Sequence, residues 1–159
     1  MATTKTLTTE KLTPTVGAEV LGVDRDRLLN EDDLPRAVMD ALEENGVLLF
    51  RGLDIDDATQ AAFCSKLGEV RLWPENPIPE IFEISLNPDN PQAKTLDPRG
   101  TVNWHMDGLL DDSLPVKATV LTARVVASEG GETEFASTYA AYDDLSEIGE
   151  HTSELQSPC

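Results

Sequence analysis

Trp104-His105-Met106-Asp107-Gly108 is the stretch on which the reading of this chain turns. In an extended segment, side chains two apart point to the same side. His105 and Asp107 are therefore expected to present an imidazole and a carboxylate to one point. Such a pair is two thirds of the two-histidine, one-carboxylate face that holds non-haem Fe(II) and leaves coordination positions open. A His-x-Asp pair also arises as a surface hydrogen bond or ion pair, so its surroundings must decide its meaning.

Upstream lies a long stretch, Trp73 to Gly100, with Pro74, Pro77, Pro79, Pro88, Pro91 and Pro98. Prolines at that density forbid long regular structure, and long loops of this kind often cover sites. Within it, Ile81 to Leu86 reads as a strand. Downstream, Lys117 to Ala127 is rich in Val, Thr and Ala and reads as a central strand. Glu129-Gly130-Gly131-Glu132 is a turn and Thr133 to Ala136 a following strand. Ser137 or Thr138 opens a short helix through Tyr142 and Leu145.

The first half of the chain is more regular. Leu12 to Val23 reads as short strands broken at Gly17 and Gly22. Leu34, Val38, Ala41 and Leu42 recur at helical spacing, with Asn30 or Asp32 as the cap and Asn45-Gly46 as the stop. Val47 to Phe50 is a buried strand. Asp56 caps a second helix through Ala58, Ala62, Phe63 and Leu67, with Gly68 as its stop.

Composition narrows the function classes. The chain has 159 residues, 40% hydrophobic and 26% charged, which suits one soluble domain with a real core. Its net charge of -18 repels phosphate backbones and argues against nucleic-acid binding. No apolar run reaches the length of a membrane span, and Met1-Ala2-Thr3-Thr4-Lys5 carries no apolar signal core. Cys64 and Cys159 do not make a disulfide framework. A cytoplasmic protein acting on a small molecule is the expectation, with no membrane partner.

Several ordered blocks resemble one family. Asn103-Trp104-His105-Met106-Asp107-Gly108 is followed by Pro115 to Leu121, by Gly130-Gly131-Glu132-Thr133, and by Ala140-Ala141-Tyr142-Asp143-Asp144-Leu145-Ser146. Upstream, Gly17 to Asp24, Gly46 to Gly52 and Phe63 to Val70 agree as well. Together they resemble the taurine dioxygenase (TauD/TfdA) family of Fe(II)- and 2-oxoglutarate-dependent dioxygenases. The resemblance implies a mixed α and β fold, a partial double-stranded β-helix (jelly roll) with flanking helices. It implies His105 and Asp107 as iron ligands and Thr133 as the hydroxyl that contacts the 2-oxoglutarate carboxylate. It implies Fe(II), 2-oxoglutarate and O2 as the reacting set, with hydroxylation of a small organic substrate and release of succinate.

The resemblance also exposes a shortfall. The family's second histidine and its 2-oxoglutarate-binding arginine lie far downstream, in a C-terminal half that this sequence lacks. His151 is the only other histidine, in a polar stretch, and is expected to be solvated. Residues 1–10 are read as a flexible N-terminus, 11–149 as the N-terminal portion of the family domain, and 150–159 as a polar tail outside it. The chain is thus expected to be an incomplete dioxygenase with little activity alone. The alternative is a non-catalytic jelly-roll remnant that serves as a binding or interaction module. Trp104 reads as a core or pocket-wall residue, Tyr139 and Tyr142 as helix packing, Lys117 as a strand-edge charge and Cys64 as packing. No residue is assigned to substrate binding.

Overall fold

The computed structural model describes residues 7–85, 89, 103–108 and 116–145. His151 and residues 150–159 lie outside them, as do residues 1–6. The described elements run β1 (Thr8–Lys11), β2 (Ala18–Leu21), α1 (Arg25–Asn30), α2 (Leu34–Asn45), β3 (Leu48–Leu49), α3 (Asp57–Leu67) and α4 (Thr138–Asp143). This is a mixed α and β arrangement with one small sheet of order β1-β2-β3.

Strand β2 is the centre of the sheet. It pairs antiparallel with β1, Thr8 opposite Leu21 and Lys11 opposite Ala18, and parallel with β3, Ala18 opposite Leu48. Pairing thus begins at Thr8, inside the stretch read from sequence as a flexible N-terminus. The β1–β2 connection closes on itself: Leu12 N–H donates to the Gly17 carbonyl at 2.9 Å, and Thr13 Oγ1 donates to the Val16 carbonyl and accepts from its N–H. Gly17 sits at φ +89, which is why a glycine ends this loop. A parallel β2–β3 pair needs a crossover, and α1 and α2 supply it.

The helix ends follow cap chemistry. Asp24 accepts from Arg27 N–H to open α1, Asp56 accepts from Thr59 N–H to open α3, and Ser137 accepts from Ala140 N–H to open α4. Helix α2 starts after Asp33, without a side-chain cap bond and with a proline in its first turn, rather than from Asn30 or Asp32. It ends at Gly46, φ +70, in the left-handed conformation expected there. Helix α1 is absent from the sequence reading, since six residues are too few to show a helical period.

The core lies between these helices and the sheet. Leu28, Leu34, Val38, Ile55 and Phe63 form its buried centre, with Val23, Leu48, Phe50, Leu53 and Leu67 packed against it. Each fully buried Leu or Phe contributes about 1.5–3 kcal/mol through removal from water. On α3 the inward positions are Thr59, Ala61 and Phe63, whereas Ala58 and Ala62 are exposed. Lys66 Nζ on α3 donates to the Leu28 and Leu29 carbonyls, satisfying acceptors near the end of α1. Arg27 makes a two-pronged pair with Glu31 and donates to the Gly22 carbonyl at 2.6 Å, which ties α1 to the end of β2. That pairing holds the Arg27 guanidinium above its ordinary value, so it stays charged.

Beyond α3 the described chain is irregular up to α4. Residues 81–85 form no strand, nor do 116–127 or 133–136. A strand exists only through ladder bonds to a neighbour, and β-branched composition cannot supply the neighbour. Val125 and Val126 illustrate this at 92% and 80% exposure. The jelly-roll portion of the expected fold is therefore not seen among the described residues. Trp104, Tyr139 and Tyr142, read as packing residues, are exposed as well. Within the proline-rich stretch, Trp73 N–H donates to the Pro79 carbonyl at 2.7 Å and its ring meets that of Phe82 at 5.3 Å. Among the described residues, no helix is long and apolar enough to cross a membrane.

Candidate metal centre

His105 and Asp107 come together. Nε2 of His105 stands 3.4 Å from Oδ1 of Asp107, each side chain about half exposed. The expected meeting is realised, but by a different backbone. Residues 104–106 form no strand and a turn follows at Asp107 and Gly108. Gly108 takes φ +75, and a Cβ there would meet Val116 atoms at 3.2 Å, so the turn presses close to the next described segment.

The far side of each group is already engaged. Nδ1 of His105 lies 2.7 Å from the Asn103 carbonyl. A carbonyl only accepts, so Nδ1 carries the hydrogen and Nε2 of the neutral ring is a bare acceptor. Thr119 Oγ1 donates to Oδ2 of Asp107 at 2.7 Å, leaving Oδ1 turned toward the imidazole. Two acceptors, Nε2 and Oδ1, thus face each other. That arrangement is repulsive unless a cation lies between them, either a proton on the ring or a metal ion.

The donor set fits a metal ion. One imidazole nitrogen and one carboxylate oxygen suit iron, manganese or zinc. Nε2 and Oδ1, 3.4 Å apart, are close enough that one ion would be held by both. Outer hydrogen bonds of the kind made by Asn103 and Thr119 are what orient metal ligands elsewhere. Among the described residues, no third histidine, cysteine, aspartate or glutamate joins the pair.

The segment that carries Thr119 is tied to the helices on both sides. Lys117 pairs with Glu43 on α2, and Arg124 pairs with Asp57 and donates to the Ile55 carbonyl at the start of α3. Gln60 Nε2 donates to the Val120 carbonyl at 3.3 Å. Lys117 is thus an ion-pair partner and not a strand-edge charge.

Thr133 is exposed and follows Gly130 and Gly131, which take φ +73 and +78. The chain bends at residues 128–130, without a hydrogen-bonded turn or the paired strands of a hairpin among the described residues. No hydrogen bond or ion pair among the described residues links Thr133 to His105 or Asp107. Open hollows occur on the surface of the described residues. One of about 580 Å³ is lined by α2 and α3 residues including Arg36 and Lys66, and one of about 280 Å³ lies within the Ala123–Glu132 loop. Neither is lined by His105 or Asp107.

Asn103 and Thr119 were assigned no role from sequence. The Asn103 contact is made by backbone, which leaves no residue-type signal. Thr119 reaches Asp107 across a gap that no helical or strand period spans.

Known proteins resemble this chain over most of its length. A family model described as "Taurine catabolism dioxygenase TauD, TfdA family" matches residues 8–151. An α-ketoglutarate-dependent sulfate ester dioxygenase of Pseudomonas putida is 32% identical over 133 residues, covering 83% of this chain and 42% of that protein. An alkylsulfatase of Acinetobacter baylyi is 30% identical over 146 residues, covering 91% and 44%. An α-ketoglutarate-dependent 2,4-dichlorophenoxyacetate dioxygenase of a Burkholderia species is 30% identical over 126 residues, covering 70% and 42%. The chain spans less than half the length of these curated relatives. With the family model matching nearly its whole length, the chain belongs to the TauD/TfdA family of dioxygenases.

Proposed function

We propose that this chain contributes the His105–Asp107 part of an Fe(II)- and 2-oxoglutarate-dependent dioxygenase site that hydroxylates a small organic anion. The observation that carries this reading is the 3.4 Å approach of Nε2 to Oδ1, each group backed by a hydrogen bond on its far side. Family membership supports iron as the cation. When bound, iron supplies the oxidation of 2-oxoglutarate to succinate and of the substrate by O2, which no side chain can perform. The residues here hold and orient it: His105 through Nε2, Asp107 through Oδ1. Thr133 would donate its hydroxyl to the 2-oxoglutarate carboxylate, next to glycines that admit close approach. In this reading residues 117–127 and 133–136 would become strands of a partial jelly roll only beside neighbouring strands, which the described residues do not supply.

Sulfate esters and aryloxyacetates are the substrate classes that the relatives' names point to. With two protein donors on the described residues, weak metal binding and little turnover are expected of this chain by itself. The test is succinate formation from 2-oxoglutarate with Fe(II), ascorbate and an alkyl sulfate or aryloxyacetate. A low yield that disappears in His105→Ala supports the reading. A yield unchanged by that substitution overturns it.

A second reading rests on the exposed apolar residues Leu121, Val125, Val126, Phe135 and Tyr139. They suit a non-catalytic module that pairs its unpartnered chain with another polypeptide. Stable association with a partner, together with no metal uptake, would favour that reading over the first.

A further inference from the structure

We propose that Thr119 is a positioning residue for the metal site, fixing Asp107 as a ligand through a single oxygen. The inference rests on the metal reading above and adds to it a residue whose type and location no ligand motif specifies.

A free aspartate carboxylate turns readily about its last bond, because that torsion is broad and two-fold. Left alone, Asp107 could offer either oxygen, or both, to a cation. The Thr119 hydroxyl removes that freedom. It must be the donor, since an ionised carboxylate only accepts. Its 2.7 Å bond occupies Oδ2, and Oδ1 is then the oxygen 3.4 Å from Nε2 of His105. Asn103 does the same for the imidazole by taking Nδ1, so the site has one support per ligand. Such supports commonly change metal affinity 10–100-fold when removed.

The hydroxyl is itself held in place. Thr119 lies between Lys117, paired with Glu43 on α2, and Arg124, paired with Asp57 on α3. Gln60 on α3 donates to the carbonyl of the adjacent Val120. The close approach of Gly108 to Val116 brings the turn that carries Asp107 onto this same segment. The two helices thereby set the height of Thr119, and Thr119 sets the rotation of Asp107.

Mn(II) titration followed by the electron paramagnetic resonance of the free ion tests this. The full chain, Thr119→Ser, Thr119→Val, Thr119→Ala and His105→Ala are compared. Thr119 is exposed, so all are expected to keep the wild-type circular dichroism and melting midpoint. The expected result is wild-type affinity in Thr119→Ser, which keeps the hydroxyl, and a 10–100-fold loss in both the Val and Ala variants. Equal affinity in wild type, Thr119→Val and Thr119→Ala, with binding lost in His105→Ala, overturns the role of Thr119 and leaves the metal reading standing. Wild-type binding indistinguishable from that of His105→Ala removes both.

Discussion

His105 Nε2 and Asp107 Oδ1 face each other across 3.4 Å while the opposite atom of each group is engaged elsewhere. Each group is therefore steadied from the side away from the point where an ion would sit. Substituting either residue should abolish Mn(II) uptake while leaving stability within about 0.5 kcal/mol, because both side chains are half exposed and carry no core packing. Isothermal or paramagnetic titration, paired with urea unfolding, reads the two effects separately.

The core prediction concerns Leu28, 1% exposed and at the centre of the helical packing. Leu28→Ala should cost about 2–5 kcal/mol through lost burial and the cavity left behind. Leu28 and Leu34 are the largest fully buried side chains among the described residues, so that loss should move the urea midpoint strongly or unfold the chain.

Asp56 links stability to pH. Hydrogen bonds from the Thr59 side chain and backbone, with help from Arg25 and Arg124, hold its carboxyl below the ordinary 3.8. A depressed native value means that the unfolded state binds the proton more readily, so Asp56 stabilises the fold fully above that ordinary value. The contribution fades as pH falls through the depressed native value. Asp56→Asn keeps a capping oxygen and removes the titration. Its melting midpoint should therefore fall less steeply than that of wild type below about pH 4.

Cys64 should react slowly. Burial pushes its thiol above the ordinary 9.0 and leaves little thiolate at neutral pH. In a Cys159→Ser background, the rate of reaction with an aromatic disulfide reagent should rise on adding denaturant. A fast native reaction at neutral pH would contradict the half-buried placement on α3.

Gly46 ends α2 at φ +70, with Val16 3.5 Å from where a Cβ would stand. The space is ordinary, but the left-handed backbone is not. Gly46→Ala should cost about 1–2 kcal/mol for conformation alone, and Gly46→Asn should cost less. Thermal melts of the two variants against wild type decide the order.

What could be read from the sequence was local chemistry. Asp56 and Ser137 as helix openers, and Gly46 and Gly68 as closers, are legible because a cap acts within one turn of itself. The nearness of His105 and Asp107 was legible for the same reason, although a turn and not a strand brings them together. What depended on distant partners was not. Trp104 and Tyr139 look like core residues by type, yet burial is decided by what lies opposite, and they are 70% and 85% exposed. Lys117 and Arg124 carried no sign of Glu43 and Asp57, which lie far away along the chain. Thr119 was invisible on the same ground.

The order of the sheet bears on biosynthesis. Strands β1 to β3 and helices α1 to α3 close around their core using only residues up to Leu67. In synthesis the whole of that scaffold is therefore translated before His105 is added. The turn that bears Asp107 and the segment clamped by Glu43 and Asp57 are made later than the helices that hold them.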